Sequence, residues 1–227
     1  MPNIYATNDG NINFNQGANF GWSWDTVRDH TTGTVNSSQT ENMYAIRAIK
    51  FDYLGNDRYI VMRTFMEFNT SGISDTPSDA TLKLYGYGSW SGGNLADIIV
   101  VKGTQSDTLT GTDYNNFDTS TPYSSEITSW NNSAYNEITL NSTALAAMRD
   151  ETNFKICIME HDYDYSDTEP GYVSKNLGMY YSEAAEANRP YIDYTEGAPP
   201  DPVAFNEFKV KNSNLNIKNS DLKFNPK

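Results

Sequence analysis

The densest hydrophobic pattern in the chain runs from Arg58 to Tyr87. Its first half, Tyr59–Phe68, is rich in β-branched and aromatic residues and apolar at successive positions, which predicts a strand buried on both faces in the middle of a packed sandwich. After a loop of Gly, Ser, Asp and Pro, the run Ala80–Tyr87 alternates with period two and predicts a strand with one buried and one wet face. Tyr44–Phe51 supplies a strand ahead of the central one, with Leu54-Gly55-Asn56-Asp57 as the turn between them. Ala96–Lys102, Glu137–Leu140, Phe154–Met159, Gly178–Tyr181 and Arg189–Tyr194 read as further strands. Residues 3–40, punctuated by Asn-Asp-Gly, Gln-Gly and Thr-Gly, read as short strands joined by turns. The polar region 105–125 reads as an extended loop with one weak strand, the kind of segment that carries binding surfaces. One short helix is expected over Thr143–Asp150, capped by Asn141 or Ser142 and covering an open end of the sandwich.

Past this body the pattern changes. Gly197–Pro202 is Pro-rich and extended. Beyond it, the pairs Phe208/Val210, Leu215/Ile217 and Leu222/Phe224 mark a seven-residue repeat of apolar-x-apolar-Lys-Asn-Ser. Apolar positions two apart make this strand plus turn rather than a coiled-coil heptad. A lone strip of this kind cannot bury its apolar face, so it is expected to pair with copies of itself or with another protein. The expected organisation is therefore all-β: an antiparallel jelly-roll β-sandwich with one short helix over residues 1–196, a linker over 197–207, and an extended strand-turn assembly tail over 208–227.

Charge narrows the partners. A formal net charge of −13 argues against nucleic acid, which needs Lys and Arg to neutralise phosphate, and against anionic membrane surfaces. No run approaches the roughly 20 apolar residues of a membrane span. The polar start Met1-Pro2-Asn3-Ile4-Tyr5 does not read as a secretory leader. The single cysteine, Cys157, allows no internal disulfide, and its apolar neighbours place it in a core strand. With His161 as its only near partner, it is not read as a nucleophile.

Two groups of residues bear on binding. Trp22, Trp24 and Trp90 lie in Gly/Ser/Asn-rich loops, where flat rings either stack on sugars or cap the ends of the sandwich, while Trp130 reads as packing. Asp162, Asp164, Asp167 and Glu169 put four carboxylates into one loop. Hard oxygen ligands at this spacing suit a structural Ca²⁺, but Asp167 and Val173 stand where an EF-hand needs glycine and glutamate, so a solvated acidic loop is the competing reading. No other cofactor is expected. No elbow, metal-ligand cluster or HExxH motif is present, and the protein is expected not to be an enzyme.

Several pieces, in order, resemble the DNRLRE-type domain family, which includes disaggregatase-related domains and polysaccharide-binding modules. They are Gly17–Gly21; Arg63, Phe65, Ala80, Thr81, Leu82, Leu84 and Tyr85; Thr128–Asn132; and Asn188–Tyr194. The resemblance spans about residues 3–195 and implies a jelly roll that binds or displays. The body is strongly acidic, which makes uronic-acid polymers a poor ligand. The C-terminal repeat loosely resembles phage fibre-shaft sequence. The leading expectation is thus a non-catalytic fibre or surface-decoration protein of a bacteriophage particle, homotrimeric, at the virion surface with other virion proteins, contacting host surface polysaccharide. The alternative is a carbohydrate-binding module of an extracellular or bacterial cell-surface protein or polysaccharide-degrading enzyme.

Overall fold

The computed structural model describes residues 2–15, 21–88 and 94–198. Trp90 and the assembly positions Phe208, Val210, Leu215, Ile217, Leu222 and Phe224, with most of the linker, lie outside the described residues.

The body is an antiparallel β-sandwich of the jelly-roll kind. Its strands are β1 (Asn3–Asn15), β2 (Thr34–Asn36), β3 (Glu41–Tyr53), β4 (Asn56–Asn69), β5 (Asp79–Tyr85), β6 (Asn94–Leu95), β7 (Ile98–Gly103), β8 (Phe117–Pro122), β9 (Tyr135–Thr139), β10 (Asn153–Glu160), β11 (Ser174–Tyr180) and β12 (Tyr191–Thr195). The front sheet runs β1-β12-β5-β9. In the back sheet β6-β11-β3-β4-β1 is extended by β10, β7 and β8, because β10 takes over the edge of β4 that β3 leaves. β1 serves both: Asn3–Tyr5 pair with β12, and from Ala6 onward the strand pairs with β4, with a register shift between Ala6 and Asn8. Such a bulge adds the local twist that a strand needs to change sheets.

β4 behaves as its pattern predicts. Met66 and Phe68 face the inter-sheet core with Leu82, Leu84, Ile138, Ile156 and Ile192. The alternate residues Tyr59, Val61 and Phe65 face a second core on the outer side of the back sheet, with Ile99, Val101, Cys157 and Met159. Cys157 is buried there and burial pushes its thiol well above the ordinary range. The expected turn is a two-residue hairpin in which Leu54 and Gly55 both have positive φ, 55° and 74°, the backbone of a type I′ loop.

The second core needs a lid, and the polar N-terminal third and the 105–117 region provide it. A helix, α1 (Trp24–Arg28), capped by the Ser23 side chain, brings Trp24 and Val27 onto β4. The 3-10 turn Gly111–Asn115 adds Tyr114. Here the expectation of short strands and turns over residues 3–40 fails: Asn8-Asp9-Gly10 is inside the 13-residue β1, and Gly10 serves a close approach, since a Cβ there would lie 2.4 Å from the Asn36 carbonyl oxygen. The expected helix is α2 (Ser142–Asp150), with the Asn141 side chain accepting from the Thr143 and Ala144 amides. It buries Ala144 and Met148 in the inter-sheet core.

Candidate functional site

The site begins at a charge buried in β4. Arg63 lies on the second-core face, fully enclosed, and forms a fork with Asp164 through Nε (2.8 Å) and Nη2 (2.6 Å). Its remaining donors reach the carbonyls of Tyr114 and Arg28 and Oδ1 of Asn115, and the guanidinium sits against the Tyr114 and Phe117 rings. Burial pulls its pKa down, but the Asp164 carboxylate outweighs that and holds the guanidinium charged. Asp164 belongs to a π-helical turn, His161–Tyr165, whose first amides (Asp162, Tyr163, Asp164) are accepted by the Glu160 carboxylate. Arg28, at the end of α1, donates to the Asp164 carbonyl and pairs with Asp167. The loop after β10 and the segment around α1 are thus both tied to β4 at one buried node.

These two segments form the walls of an open groove of about 610 Å³, with the β3–β4 hairpin as its third side. Tyr172, 69% exposed, stands between this groove and a neighbouring hollow of about 530 Å³ edged by Arg47, Phe51 and Asp52. Its hydroxyl donates to Asp57 at 2.5 Å. Lys50 lies over the Tyr172 and Tyr59 rings, 5.3 and 5.4 Å from their centroids, and pairs with Glu169 and Asp57. The Lys50 ammonium, together with the Tyr59 hydroxyl, holds the Glu169 carboxyl below its ordinary value. The Tyr172 hydroxyl, then Lys50, does the same for Asp57. Burial, then Glu169, pushes Tyr59 up to about 12. Lys50 and the hydroxyls of Tyr59 and Tyr172 thus keep the Asp57 and Glu169 carboxyls of this groove ionised.

Trp22 and Trp24, two positions apart at the entry to α1, have opposite fates. Trp22 is half-buried on the groove wall, stacked on Phe14 (centroids 5.5 Å, 7° between planes) with His30 against both rings. Trp24 is 2% exposed, with its ring against Tyr59 in the second core, so its ring faces are closed to sugar stacking. The residue still borders the groove, and its buried indole Nε1 has no hydrogen-bond partner among the described residues. Buried donors of this kind are otherwise nearly always paired. Trp130 packs on the inter-sheet core and donates to the Gly178 carbonyl, as expected.

The four carboxylates of the proposed Ca²⁺ loop are not brought together. Asp164 is turned inward to Arg63, Asp167 pairs with Arg28, Asp162 with Lys175 and Glu169 with Lys50. Each is drawn toward a different cation, and the loop is a salt-bridged strap whose Ser166–Glu169 stretch is exposed to solvent. Among the described residues, the acidic and imidazole groups close enough to share an ion are Glu126, His161 and Asp162, beside which the Lys175 ammonium already lies.

The model of carbohydrate-binding module family 96 matches residues 25–177. The chain belongs to this family. That span includes β3, β4, the strap and Tyr172, and so the hairpin and strap sides of the groove of this family 96 module, while the wall from Gly21 to Trp24 precedes it. The match supports the binding-module expectation rather than the virion fibre, and the polysaccharide-binding part of the resemblance. No curated protein matches the chain. Among the described residues no helix is long and apolar enough to cross a membrane.

Sequence reasoning missed Tyr172, Asp57 and Lys50. Tyr172 lies in an exposed Gly171-Tyr172 pair with no periodicity to place it, and the other two sit on opposite sides of a hairpin where only register makes them neighbours.

Proposed function

We propose that this protein is a non-catalytic module that binds a neutral glycan in the groove between Trp22 and Tyr172, as part of an extracellular or cell-surface carbohydrate-recognising system. The observation that carries the reading is Tyr172, a largely exposed ring held rigid by Asp57 and Lys50 in the middle of an open, polar-walled concavity. Sugars present apolar C–H faces and a rim of hydroxyls. An aromatic ring receives the first, and the carboxylates of Asp57 and Glu169 with Asn56 receive the second. The ionic groups here already pair with each other, and the net charge of −13 favours a ligand without carboxylates.

Retention of the full chain in native gels containing β-glucan, xyloglucan, galactomannan, xylan or a uronate polymer tests this. A neutral polymer should retard migration, and Tyr172→Ala and Trp22→Ala should each weaken binding at least tenfold, about 1.4 kcal/mol. Tyr172→Phe, which keeps the ring and loses only the bond to Asp57, should retain most of the affinity. Retention unchanged in both alanine variants would sink the assignment of the groove.

A further inference from the structure

The outer face of the front sheet carries a second aromatic surface remote from the groove. Tyr5 on β1 meets Tyr191 on β12, Tyr191 meets Tyr135 on β9, and Tyr135 meets Tyr85 on β5. Tyr85 then meets Tyr180 on β11, and Tyr180 meets Tyr87. Neighbouring centroids are 5.1–5.6 Å apart, and all contacts but the first, which is tilted, are edge-to-face. Every one of these rings is half-buried, on a sheet face with no layer over it among the described residues.

The fold holds this row in place. Tyr5 stands opposite Tyr191, and Tyr85 opposite Tyr135, in the strand register. The bridge between Gly86 and Met179 joins the end of β5 to β11 and carries the row from one sheet to the other. Gly86 has no room for a side chain, since a Cβ would lie 1.9 Å from the Asn131 carbonyl oxygen. The Tyr85 hydroxyl donates to the Ser133 carbonyl (2.6 Å) and the Tyr135 hydroxyl to that of Arg189 (3.1 Å), which locks ring orientation. The charges of the adjoining row, Lys83 and Glu137, pair with each other, while Glu41 stands opposite Tyr180 at the end of the row.

We propose that this tyrosine row is a second carbohydrate site, a platform for an extended, neutral polysaccharide chain laid across the strands. Edge-to-face packing leaves ring faces and edges alternating along the row, so sugar C–H faces meet π-faces while phenol hydroxyls at the rim meet sugar hydroxyls. Rings preset on a sheet lose little freedom when a ligand is bound. A contiguous aromatic surface of this kind on a soluble domain marks an interaction site, and membership of a binding-module family names the chemistry of the occupant. The proposal rests on the glycan-binding reading, yet Tyr5, Tyr180 and Tyr191 lie outside the family-matched span and the surface is separate from the groove.

Tyrosine nitration by tetranitromethane, mapped by mass spectrometry on the unmodified full chain, tests this without any variant. The probes are β-glucan, xyloglucan and galactomannan, with and without short oligosaccharides cut from them. A polymer that binds should slow nitration of Tyr85, Tyr87, Tyr135 and Tyr180 at least fivefold, and leave the exposed Tyr53 unprotected. If a polymer protects Tyr172 while the row nitrates at its free rate, the platform is refuted and the groove stands. If no polymer protects either surface, both fall. As a second arm, Tyr180→Ser with Tyr87→Ser should lower affinity for polymer at least tenfold and leave oligosaccharide binding in the groove unchanged, with an unaltered unfolding midpoint as the check on the fold. Polymer affinity that survives in the folded variant overturns the proposal. So does a dimer, seen by sedimentation, that the two substitutions dissociate, because the row would then be a contact between copies of the chain.

Discussion

Asp164→Asn tests whether the buried node supports the groove. The change keeps shape and one acceptor oxygen and removes the carboxylate that forks Arg63, leaving a guanidinium with no exposure and no counter-charge among the described residues. Breaking a buried pair from one side costs about 3–5 kcal/mol. Arg63 keeps the Tyr114 and Arg28 carbonyls, Asn115 and two ring faces, so the lower end applies, about 3 kcal/mol. At about 2–4 °C per kcal/mol for a domain of this size, the melting temperature should fall by about 6–12 °C. Urea unfolding followed by tryptophan fluorescence reads this directly, since Trp22 and Trp24 sit on the segment that Arg28 ties down. Glycan affinity should fall with it, because the Tyr172 and Trp22 walls lose their common anchor. Arg63→Met with Asp164→Leu should recover most of the stability, because two apolar groups leave no orphan charge. A loss below about 1 kcal/mol for Asp164→Asn, the size of an exposed ion pair, would refute the argument that this pair organises the site.

Two further outcomes follow from the same chemistry. Burial pushes both Asp9 and Glu160 up to about 7, against ordinary values of 3.8 and 4.5. The folded state therefore holds protons that the unfolded chain releases, so stability falls as pH rises from about 4.5 toward 7. Glu169, Asp57 and Asp162, held low by their cationic and hydroxyl partners, act oppositely and lose their contribution only as pH falls below their ordinary values. Thermal unfolding across pH should thus peak on the acid side of neutrality, and Asp9→Asn should flatten the neutral limb; a maximum at pH 8 would contradict both assignments. Cys157, fully buried with its thiol pushed up, should resist Ellman's reagent in the native protein and react only at the rate of unfolding; prompt labelling would place it nearer the surface than the second core allows.

How much was legible in the sequence follows from the range of each signal. Strand identity is a local property: β4 announced its two buried faces through apolar residues at successive positions, β5 through alternation, and the Leu54-Gly55 turn and the Asn141 cap through residue chemistry confined to a few positions. The family pieces, being short and ordered, pointed to a binding jelly roll. The site was another matter. Asp164 reads as one of four similar carboxylates until Arg63, far away in sequence, selects it for burial. Trp22 and Trp24 look alike as loop tryptophans, and only the seating of α1 on the back sheet makes one a wall and the other a core residue. Tyrosines scattered from Tyr5 to Tyr191 become a row only through strand register and the closure of β5 on β11. Local pattern determined most of the strands, the β3–β4 turn and the class of fold, but not β1, whose Asn8-Asp9-Gly10 reads as a turn. Long-range pairing decided which charges are neutralised and which rings share a surface, because burial and ion pairing depend on neighbours that the chain meets only once it has folded.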